Sequence, residues 1–325
     1  MAVKVGFVGT GGISRAHQRH LKKMDDVRVV AMCDLVEEKV KEEAKKWNAQ
    51  VFTDHRAMLN EVELDAVYVC IPPFAHEDQE ILAAEKGIAL FVEKPLSLTM
   101  SKAREVDAAI RESGVVSCVG FQGRYLDVIA KAKELLADRP VGLAMGYWMG
   151  GMAGVPWWKS KEMSGGQAVT TTIHVTDTAR YLFGEVTSVY AGGRTGLMTE
   201  VENYNIEDAS AATLIFENGI LATIFSSCFM TEGLGKGGID IFTKDMTIEY
   251  RERKSITVIT EDGTELTQVE NDYFQDLDNA FIDAVRKKDD SALKSTYADA
   301  VKTHEVVMAV NQSLETGEVV QIADM

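Results

Sequence analysis

The chain has 325 residues, 46% of them hydrophobic, and a formal net charge of −16 at pH 7. This length favours two domains, because one core seldom grows past roughly 250–300 residues, and the composition is typical of a soluble globular protein. The negative charge argues against nucleic acid or an anionic membrane surface as a partner. No apolar run is long enough for a membrane-spanning helix, and the N-terminus has the pattern of a first strand, not of a signal peptide.

The four cysteines predict neither a disulfide framework nor a zinc site. Cys33, Cys70, Cys118 and Cys228 each lie in an apolar, strand-like run, and none forms a C-x-x-C pair. Such isolated cysteines are typical of a reducing compartment. We therefore expect a cytoplasmic protein with free thiols and no metal site.

The first third of the chain alternates between two hydrophobic periodicities. Short apolar runs predict buried strands, at 3–9, 27–34, 65–70, 88–93 and 115–120. Amphipathic segments with helical spacing lie between some of them, at 37–47, 76–87 and 101–114. This alternation predicts βαβ units and therefore a doubly wound parallel sheet of the α/β class.

After about residue 120 the pattern changes to one of hairpins. Asn218-Gly219 and Asp262-Gly263 each stand between two strand-like runs, and both dipeptides tolerate the positive φ that a tight hairpin turn needs. Hairpins predict an antiparallel sheet, so we expect an α+β second domain. The predicted domains are 1–121 and 122–325, and the sequence leaves open whether a C-terminal helix at about 297–315 packs back on the first domain.

The stretch "VGFVGTGGISRAH" places three glycines between the first strand and the first helix. Gly9, Gly11 and Gly12 fit the G-x-G-x-x-G pattern of dinucleotide-binding turns, with Ser14 as a small residue in the third glycine position. In such a turn a diphosphate approaches the bare backbone at the positive end of the helix dipole. The alternative is an ordinary glycine-rich turn.

Asp34 ends the second predicted strand, about 25 residues after Gly9. A carboxylate in that position accepts hydrogen bonds from the adenosine ribose and repels a 2′-phosphate. Because no arginine stands between Leu35 and Lys39, the sequence predicts NAD in preference to NADP. The alternative is an aspartate that caps the following helix.

Two further stretches follow predicted parallel strands, "CIPPFAH" at 70–76 and "VEKPLS" at 92–97. Ligands of open α/β sheets bind outside the carboxyl ends of the strands. Lys94 in that position can exchange a proton with a substrate hydroxyl if its amine is partly desolvated. The alternative is that Glu93 and Lys94 form a solvated charge pair.

These motifs, taken in order, resemble the glucose–fructose oxidoreductase/inositol dehydrogenase/MocA (Gfo/Idh/MocA) family. The resemblance rests on "GFVGTGGISRAH", "CD" at 33–34, "CIPPFAH" and "EKP" at 93–95, and it continues through 165–191, "DASAATLIFENG" and the C-terminal segment. It therefore covers nearly the whole chain. It implies an N-terminal Rossmann domain that binds a nicotinamide dinucleotide, and a C-terminal domain whose open, mostly antiparallel sheet mediates homodimers or homotetramers.

The resemblance also implies an activity and a set of residues. It implies hydride transfer between the nicotinamide and a carbinol of a sugar, inositol or related cyclic polyol, with Lys94 and His174 as the catalytic residues. The implied cofactor-binding residues are Gly9, Gly11, Gly12, Ile13, Asp34, Pro72, His76, Glu93, Lys94 and Gln122. The implied substrate-binding residues are Lys94, Arg124, Trp158, Thr170 and His174.

The residues themselves leave alternatives open for several of these roles. His174 and Thr170 share one face if their segment is a single helix, but a lone histidine is often structural. Trp158 can stack on a sugar ring or lie in the core. Arg124 can bind a ligand or act at the hinge between the domains. Asp177 and Arg180, three residues apart, are expected to form an ion-pair ladder on the helix.

Thr170 departs from the pattern of the family. Many members carry an acidic residue four positions before the histidine, whereas this chain has Thr170, Thr172 and His174. A threonine hydroxyl cannot accept a proton near neutral pH as a carboxylate does. Any acid–base work therefore falls on Lys94 and His174, or the substrate differs from simple inositols, or catalysis is lost, as in a non-catalytic, dinucleotide-binding regulatory protein. The resemblance also leaves open a redox-assisted glycosidase that recycles its NAD.

Overall fold

The computed structural model describes residues 2–231 and 233–325, which form two compact units. Unit 1 comprises the residues up to Gln122 together with Asp272–Val301, and unit 2 comprises Gly123–Asn271 together with Lys302–Met325. The expected domain 122–325 therefore differs from the structure, in which 272–301 belongs with the first domain. The reason is long-range packing of the later segment on the first helix and on the last strand of unit 1, which no local sequence pattern announces.

Unit 1 contains a six-stranded parallel sheet with the order β3-β2-β1-β4-β5-β6. The strands are β1 (Val3–Val8), β2 (Val27–Cys33), β3 (Gln50–Phe52), β4 (Ala66–Val69), β5 (Ala89–Val92) and β6 (Ser117–Val119). This is the strand order of a Rossmann dinucleotide-binding fold, in which the order reverses between β1 and β4. The predicted doubly wound parallel sheet is confirmed.

The helices of unit 1 begin and end at local signals. They are α1 (Gly12–Leu21), α2 (Glu37–Lys45), α3 (His55–Glu61), α4 (Gln79–Glu85), α5 (Met100–Ser113) and α10 (Tyr273–Lys287). The Asp54 carboxylate caps α3, the Thr99 hydroxyl caps α5, and Gly114 ends α5 in the left-handed conformation. Strand β3 and helix α3 had no clear signal in the sequence, because both are short.

Unit 2 contains a nine-stranded sheet with the order β14-β13-β12-β11-β7-β10-β9-β8-β15. Its strands are β7 (Val141–Met149), β8 (Val186–Arg194), β9 (Ala209–Phe216), β10 (Leu221–Ser227), β11 (Lys236–Thr243), β12 (Met246–Arg251), β13 (Ser255–Thr260), β14 (Gly263–Gln268) and β15 (Val320–Gln321). Among the described pairings of this nine-stranded sheet, only the β7–β10 pair is parallel. The predicted hairpins at Asn218-Gly219 and Asp262-Gly263 join β9 to β10 and β13 to β14.

Four helices of unit 2 precede β8, and a fifth crosses the boundary between the units. They are α6 (Asp127–Leu136), α7 (Lys161–Ser164), α8 (Gln167–Thr170), α9 (Ile173–Phe183) and α11 (Tyr297–Thr316). Helix α9 packs on β7, β10 and β11, and a Cβ at Gly146 of β7 would overlap the side chain of Val175. This close approach fixes α9 on the sheet. No helix in the described ranges combines the length and the apolarity needed to cross a membrane.

Candidate active site

The glycines of the turn between β1 and α1 have two different roles. Gly9 has φ +88°, and a Cβ at Gly9 would collide with the carbonyl oxygen of Cys70. Gly9 thus lets the ends of β1 and β4 approach each other. Among the described residues, nothing lies within 4 Å of the place that a Cβ on Gly11 or Gly12 would take. These two glycines leave an open backbone surface that a ligand can approach.

The N-terminus of α1 presents its backbone donors at this surface. Gly11 is the N-cap residue and makes no side-chain cap. The N–H groups of Gly12, Ile13 and Ser14, in the first turn, have no acceptor within the helix and carry the positive end of its dipole. Ser14 is fully buried and accepts a hydrogen bond from the Gln18 amide at 2.9 Å. Ser14, the small residue in the third position of the glycine pattern, therefore serves packing. The first turn of α1 is suited to bind an anion.

Asp34 connects the end of β2 to the glycine turn. Its Oδ2 accepts hydrogen bonds from the backbone N–H and the hydroxyl of Thr10, both at 2.9 Å, and its Oδ1 accepts one from the N–H of Val36 at 3.0 Å. The carboxylate thus shapes the loop on each side of it. A carboxylate has about four lone-pair sites, so capacity remains for one ligand hydroxyl.

Arg15 is a cation beside this loop that the sequence reasoning missed. Its guanidinium donates to the carbonyl oxygen of Thr10 at 3.4 Å and lies 3.7 Å from the Glu43 carboxylate. An arginine for a 2′-phosphate is expected among the residues after Asp34, whereas Arg15 lies on α1, on the other side of the turn. Half of its side chain stays exposed, so it lies within reach of solvent.

In the loop after β4, Pro72 keeps part of its surface exposed, whereas the side chain of His76 is buried. Pro72 is half-buried and precedes a short 3-10 turn, Pro73–Ala75, at the carboxyl end of the strand. The imidazole of His76 is almost fully buried, and its Nδ1 lies 2.5 Å from Oε1 of Glu80. The imidazole of His76 is therefore held by α4, and a role of His76 in cofactor binding stays a prediction.

The Glu93 side chain also turns inward. Its carboxylate is buried, and Oε1 lies 3.1 Å from Nε2 of His17 in α1. A Cβ at Gly120 would overlap this carboxylate, so Glu93 is wedged between α1 and the end of β6. The Glu93 carboxylate thus makes an internal hydrogen bond, and a role of Glu93 in cofactor binding stays a prediction.

Lys94 and Gln122 follow the carboxyl ends of β5 and β6. Lys94 is half-buried, two residues beyond the last residue of β5, at the edge where the parallel strands of the sheet end. Gln122 is 2% exposed and begins the 3-10 turn Gln122–Tyr125. Lys94 therefore keeps access to solvent and ligand, whereas the Gln122 side chain is enclosed.

His174 lies at the start of α9, but Thr170 lies on a different helix. The helical conformation is interrupted at Thr171 and Thr172, between α8 and α9. Thr170 and His174 therefore do not share one face of a single helix, as the sequence analysis expected. The Thr170 hydroxyl donates to the carbonyl oxygen of Gly166 at 2.9 Å. The His174 imidazole stacks on Trp148 of β7, with the ring centroids 5.4 Å apart and an interplanar angle of 22°.

Arg124 is part of a buried ion pair, and its expected role in ligand binding stays a prediction that this pairing does not favour. Its Nε and Nη2 donate to the two oxygens of Asp177 at 2.8 and 2.6 Å, and the Thr303 hydroxyl donates to the same carboxylate. Arg180 instead pairs with Glu185 at 2.7 Å. The expected ion pair between Asp177 and Arg180 is therefore wrong. Asp177 pairs with Arg124 and Arg180 pairs with Glu185, both within unit 2.

Trp158 lies in the core. It is 3% exposed and packs with Ile206 and Cys228. Its indole Nε1 is buried without a hydrogen-bond partner among the described residues. This burial favours the core alternative for Trp158, and its contact with a sugar ring stays a prediction.

Besides Arg15, three residues near the predicted ones escaped the sequence reasoning. His17 holds Glu93 in the interior of unit 1, Asp278 holds His17, and Trp148 stacks on His174 in unit 2. His17 stands at the end of the quoted glycine stretch, so its place in the first helix follows from the sequence, but its two partners do not. Nothing local marks Asp278 or Trp148.

Two family models match the chain in succession. Residues 3–121 match the model of an oxidoreductase family with an NAD-binding Rossmann fold. Residues 130–264 match the GFO/IDH/MocA C-terminal domain. Together they cover most of both sheets described above.

Individual relatives agree with these matches. The chain is 29% identical to scyllo-inositol 2-dehydrogenase (NAD(+)) of Bacillus subtilis (strain 168) over 230 residues, which cover 69% of this chain and 67% of that protein. It is 26% identical to myo-inositol 2-dehydrogenase of Thermotoga maritima over 264 residues, which cover 80% and 79%. A structure of levoglucosan dehydrogenase in complex with NADH and levoglucosan superposes with a TM-score of 0.88, at 19% identity and over 99% and 100% of the two chains, and supports the fold.

Proposed function

Because the chain belongs to the Gfo/Idh/MocA family and is an oxidoreductase with an NAD-binding Rossmann fold, we propose that it oxidises a carbinol of a sugar, an inositol or a related cyclic polyol, or reduces the corresponding carbonyl. Relatives are named for such substrates, among them inositols and, in Escherichia coli, D-glucosides. The observation that carries the proposal is the open backbone at Gly11 and Gly12, at the uncapped N-terminus of α1.

The β1–α1 turn fits a dinucleotide diphosphate. Side chains are missing at Gly11 and Gly12, where a diphosphate needs room, and the first N–H groups of α1 have no helical acceptor. Gly9 has no Cβ to collide with the carbonyl oxygen of Cys70, so this turn can pass close to the end of β4. When bound, the nicotinamide of the dinucleotide supplies the hydride acceptor or donor.

NAD is the favoured cofactor. Asp34 is half-exposed beside the glycine turn, where its charge repels a 2′-phosphate and its remaining lone pair suits a ribose hydroxyl. Arg15 is the opposing influence, but the carbonyl of Thr10 and the carboxylate of Glu43 already engage its guanidinium. The balance of the local charges therefore favours an unphosphorylated ribose.

Lys94 and His174 carry the proton chemistry in this proposal. Oxidation removes a hydride from the carbinol carbon and a proton from its oxygen, so a base must hold that proton. The Nζ of Lys94 takes this proton, and the His174 ring, oriented by its stacking on Trp148, orients the hydroxyl. Thr170 cannot share the task, since its hydroxyl already donates to Gly166.

The outer face of the nine-stranded sheet supports a homo-oligomer. Leu143, Leu221 and Ile215 are directly paired across β7, β10 and β9, and each has more than a third of its surface exposed. A contiguous apolar row of this kind marks a protein–protein interface. We assign it to a dimer or tetramer of this chain, measurable by light scattering after gel filtration.

The location that we propose is the cytoplasm. Cys33, Cys70, Cys118 and Cys228 are all free and buried. Free thiols of this kind are the rule in a reducing compartment.

The function is tested by identifying the cofactor first and the substrate second. Mass spectrometry of the purified protein and titrations with NAD and NADP report the cofactor. Nicotinamide absorbance is then followed with panels of sugars, inositols and glycosides. Reduction of NAD by a free sugar or inositol supports the proposal. Hydrolysis of a glycoside without net change in the nicotinamide overturns it in favour of a redox-assisted glycosidase.

A further inference from the structure

His17 lies between two buried carboxylates in unit 1. Its Nδ1 is 2.7 Å from Oδ1 of Asp278 on α10, and its Nε2 is 3.1 Å from Oε1 of Glu93 at the end of β5. The side chains of His17 and Asp278 are fully enclosed, and that of Glu93 is 4% exposed. Two carboxylates are acceptors, so a histidine that serves both of them donates from both ring nitrogens.

The charges of this group favour the imidazolium form of His17. Burial by itself would lower the pKa of His17, but the charge and the hydrogen bond of Asp278, followed by those of Glu93, outweigh it and raise the pKa to about 9. Burial would likewise raise the pKa of Asp278, but the charge and the hydrogen bond of His17 hold it below its usual range. The cation therefore persists at neutral pH.

Aromatic rings and neutral groups enclose the network. The rings of Phe91 and Phe274 lie 4.6 and 4.9 Å from His17, centroid to centroid. The Tyr68 hydroxyl donates to Asp278 at 3.2 Å, and burial raises its pKa well above its usual range. Water is thereby kept from the ion pairs, which strengthens them.

The titratable and charged groups that face His17 come from five directions. They are Glu93 beyond β5, Asp278 on α10, His20 on α1 (with Asp272 and Lys23 beside it at the surface), Tyr68 on β4 and Cys70 just after β4. His20 Nδ1 lies 2.9 Å from the second oxygen of Asp278. Asp278 thus has three side chains directed at its carboxylate and is a fixed anchor for His17.

Glu93 connects the buried network around His17 to the carboxyl end of β5, where Lys94 lies. Its backbone N–H donates to the carbonyl of Val69 at 2.9 Å, and its carboxylate is confined between His17 and Gly120. Lys94 is the next residue along the chain. The direction in which Lys94 leaves β5 is therefore set by a glutamate that His17 holds.

We propose that His17, anchored by Asp278, is a positioning residue that holds Glu93 and thereby fixes the turn from which the Lys94 amine reaches the substrate. This role rests on the function proposed above. His17 also lies on the helix that begins at Gly12, so one rigid element links the diphosphate-binding turn to the lysine turn. Neither His17 nor Asp278 touches the reacting atoms.

The kinetic test compares His17→Gln and Asp278→Asn with a matched control. His55→Gln is suitable, because His55 is also a buried histidine of unit 1 paired with an aspartate, Asp78, at 2.6 Å. We expect kcat to fall about 10- to 100-fold in the first two variants, as for a slightly misplaced reacting group, with NAD affinity changed less than about threefold. Wild-type kcat in folded His17→Gln protein, or an equal loss in His55→Gln, overturns the role.

A double-mutant cycle separates positioning from general loss of stability. If His17 acts through Glu93, then Glu93→Gln costs less in the His17→Gln background than in the wild type. Additive losses in kcat overturn the proposal. Circular dichroism of each variant shows that the compared proteins are folded.

A measurement on the wild-type protein needs neither turnover nor a mutant. Nitrogen-15 chemical shifts of the histidine rings distinguish the imidazolium from the neutral tautomers. We expect His17 to be doubly protonated at pH 8 and to titrate near pH 9. A neutral His17 ring at pH 8 overturns the proposal. If no polyol or sugar is turned over, the proposed function fails while this titration still reports on the network.

Discussion

Nδ1 of His17 lies 2.7 Å from Oδ1 of Asp278, although the two residues are 261 positions apart in the chain. The contact joins α1 to α10 inside unit 1, and it explains why the segment 272–301 belongs to that unit and not to the second domain. It also gives unit 1 a buried imidazolium cation at His17, which loses its proton as the pH rises.

The stability of unit 1 should fall as the pH rises from about 6.5 to about 9. The pKa of His17 is raised from 6.5 to about 9 by folding, so its contribution is complete below pH 6.5 and lost as the pH passes the folded value. The contribution is on the order of 3 kcal/mol, from 1.4 kcal/mol per unit of pKa. Urea unfolding at several pH values measures it. The same decline in His17→Gln would contradict the assignment.

Two glycines of the same turn should respond in opposite ways to alanine. Gly9→Ala places a Cβ against the Cys70 carbonyl at a positive φ, so we expect a loss of stability of about 2 kcal/mol or more. Gly12→Ala places a methyl group in open space at the start of α1, so stability should be kept or rise by up to about 1 kcal/mol. NAD affinity should nevertheless fall at least about tenfold in Gly12→Ala. Calorimetric titration and thermal melts separate the two effects.

Removal of the Lys94 amine should abolish turnover and spare cofactor binding. For Lys94→Ala we expect kcat to fall by about 10²- to 10⁴-fold, the usual contribution of a positioned acid or base. Lys102→Ala is the control, since that lysine pairs with Glu105 on the surface of α5. Steady-state rates and NADH titrations give the two quantities. Turnover within about threefold of wild type in Lys94→Ala would remove Lys94 from the mechanism.

Neutralising Asp34 should shift the preference from NAD towards NADP. Asp34→Asn keeps one side-chain acceptor, for the donors of Thr10 or for that of Val36, and removes the charge that opposes a 2′-phosphate. We expect the ratio of the NADP and NAD dissociation constants to fall at least about tenfold. Arg15→Gln in the same background should reverse part of this gain. An unchanged ratio in Asp34→Asn would show that the charge of Asp34 does not select the cofactor.

Breaking the Arg124–Asp177 pair should cost stability and leave substrate affinity alone. Arg124→Gln leaves the buried Asp177 carboxylate without its bidentate partner, a loss of about 3–5 kcal/mol. Asp177→Asn in the same protein should restore part of it. Unfolding experiments measure the stability, and KM for the substrate should stay within about twofold. A large rise in KM with unchanged stability would return Arg124 to substrate binding.

The type of each sheet, parallel in the first domain and mostly antiparallel in the second, could be predicted from the sequence, because the signals for it are local. Alternating apolar runs and glycine-ended helices predict the parallel sheet, and Asn218-Gly219 and Asp262-Gly263 predict two hairpins that the structure contains. The open backbone at Gly11 and Gly12 follows from the same local pattern. These features depend on residues within one turn or one strand of each other.

The directions of side chains could not be predicted, because partners distant in the chain decide them. His76 turns to Glu80, and Arg124 turns to an aspartate 53 positions away. Trp158 is enclosed by Ile206 and Cys228 from later parts of unit 2. A sequence pattern places such residues at the correct end of an element, but it does not decide which buried group they meet.

Calorimetric titration of the wild-type protein and of Gly12→Ala with NAD tests the central claim most directly. We expect wild type to bind NAD at one site per chain, more tightly than NADP, and a folded Gly12→Ala protein to bind it at least about tenfold more weakly, because a methyl group then occupies the space left open for the diphosphate. Equal affinity of the two proteins for NAD, or no binding of either dinucleotide to the wild type, would contradict the claim that this turn holds the cofactor.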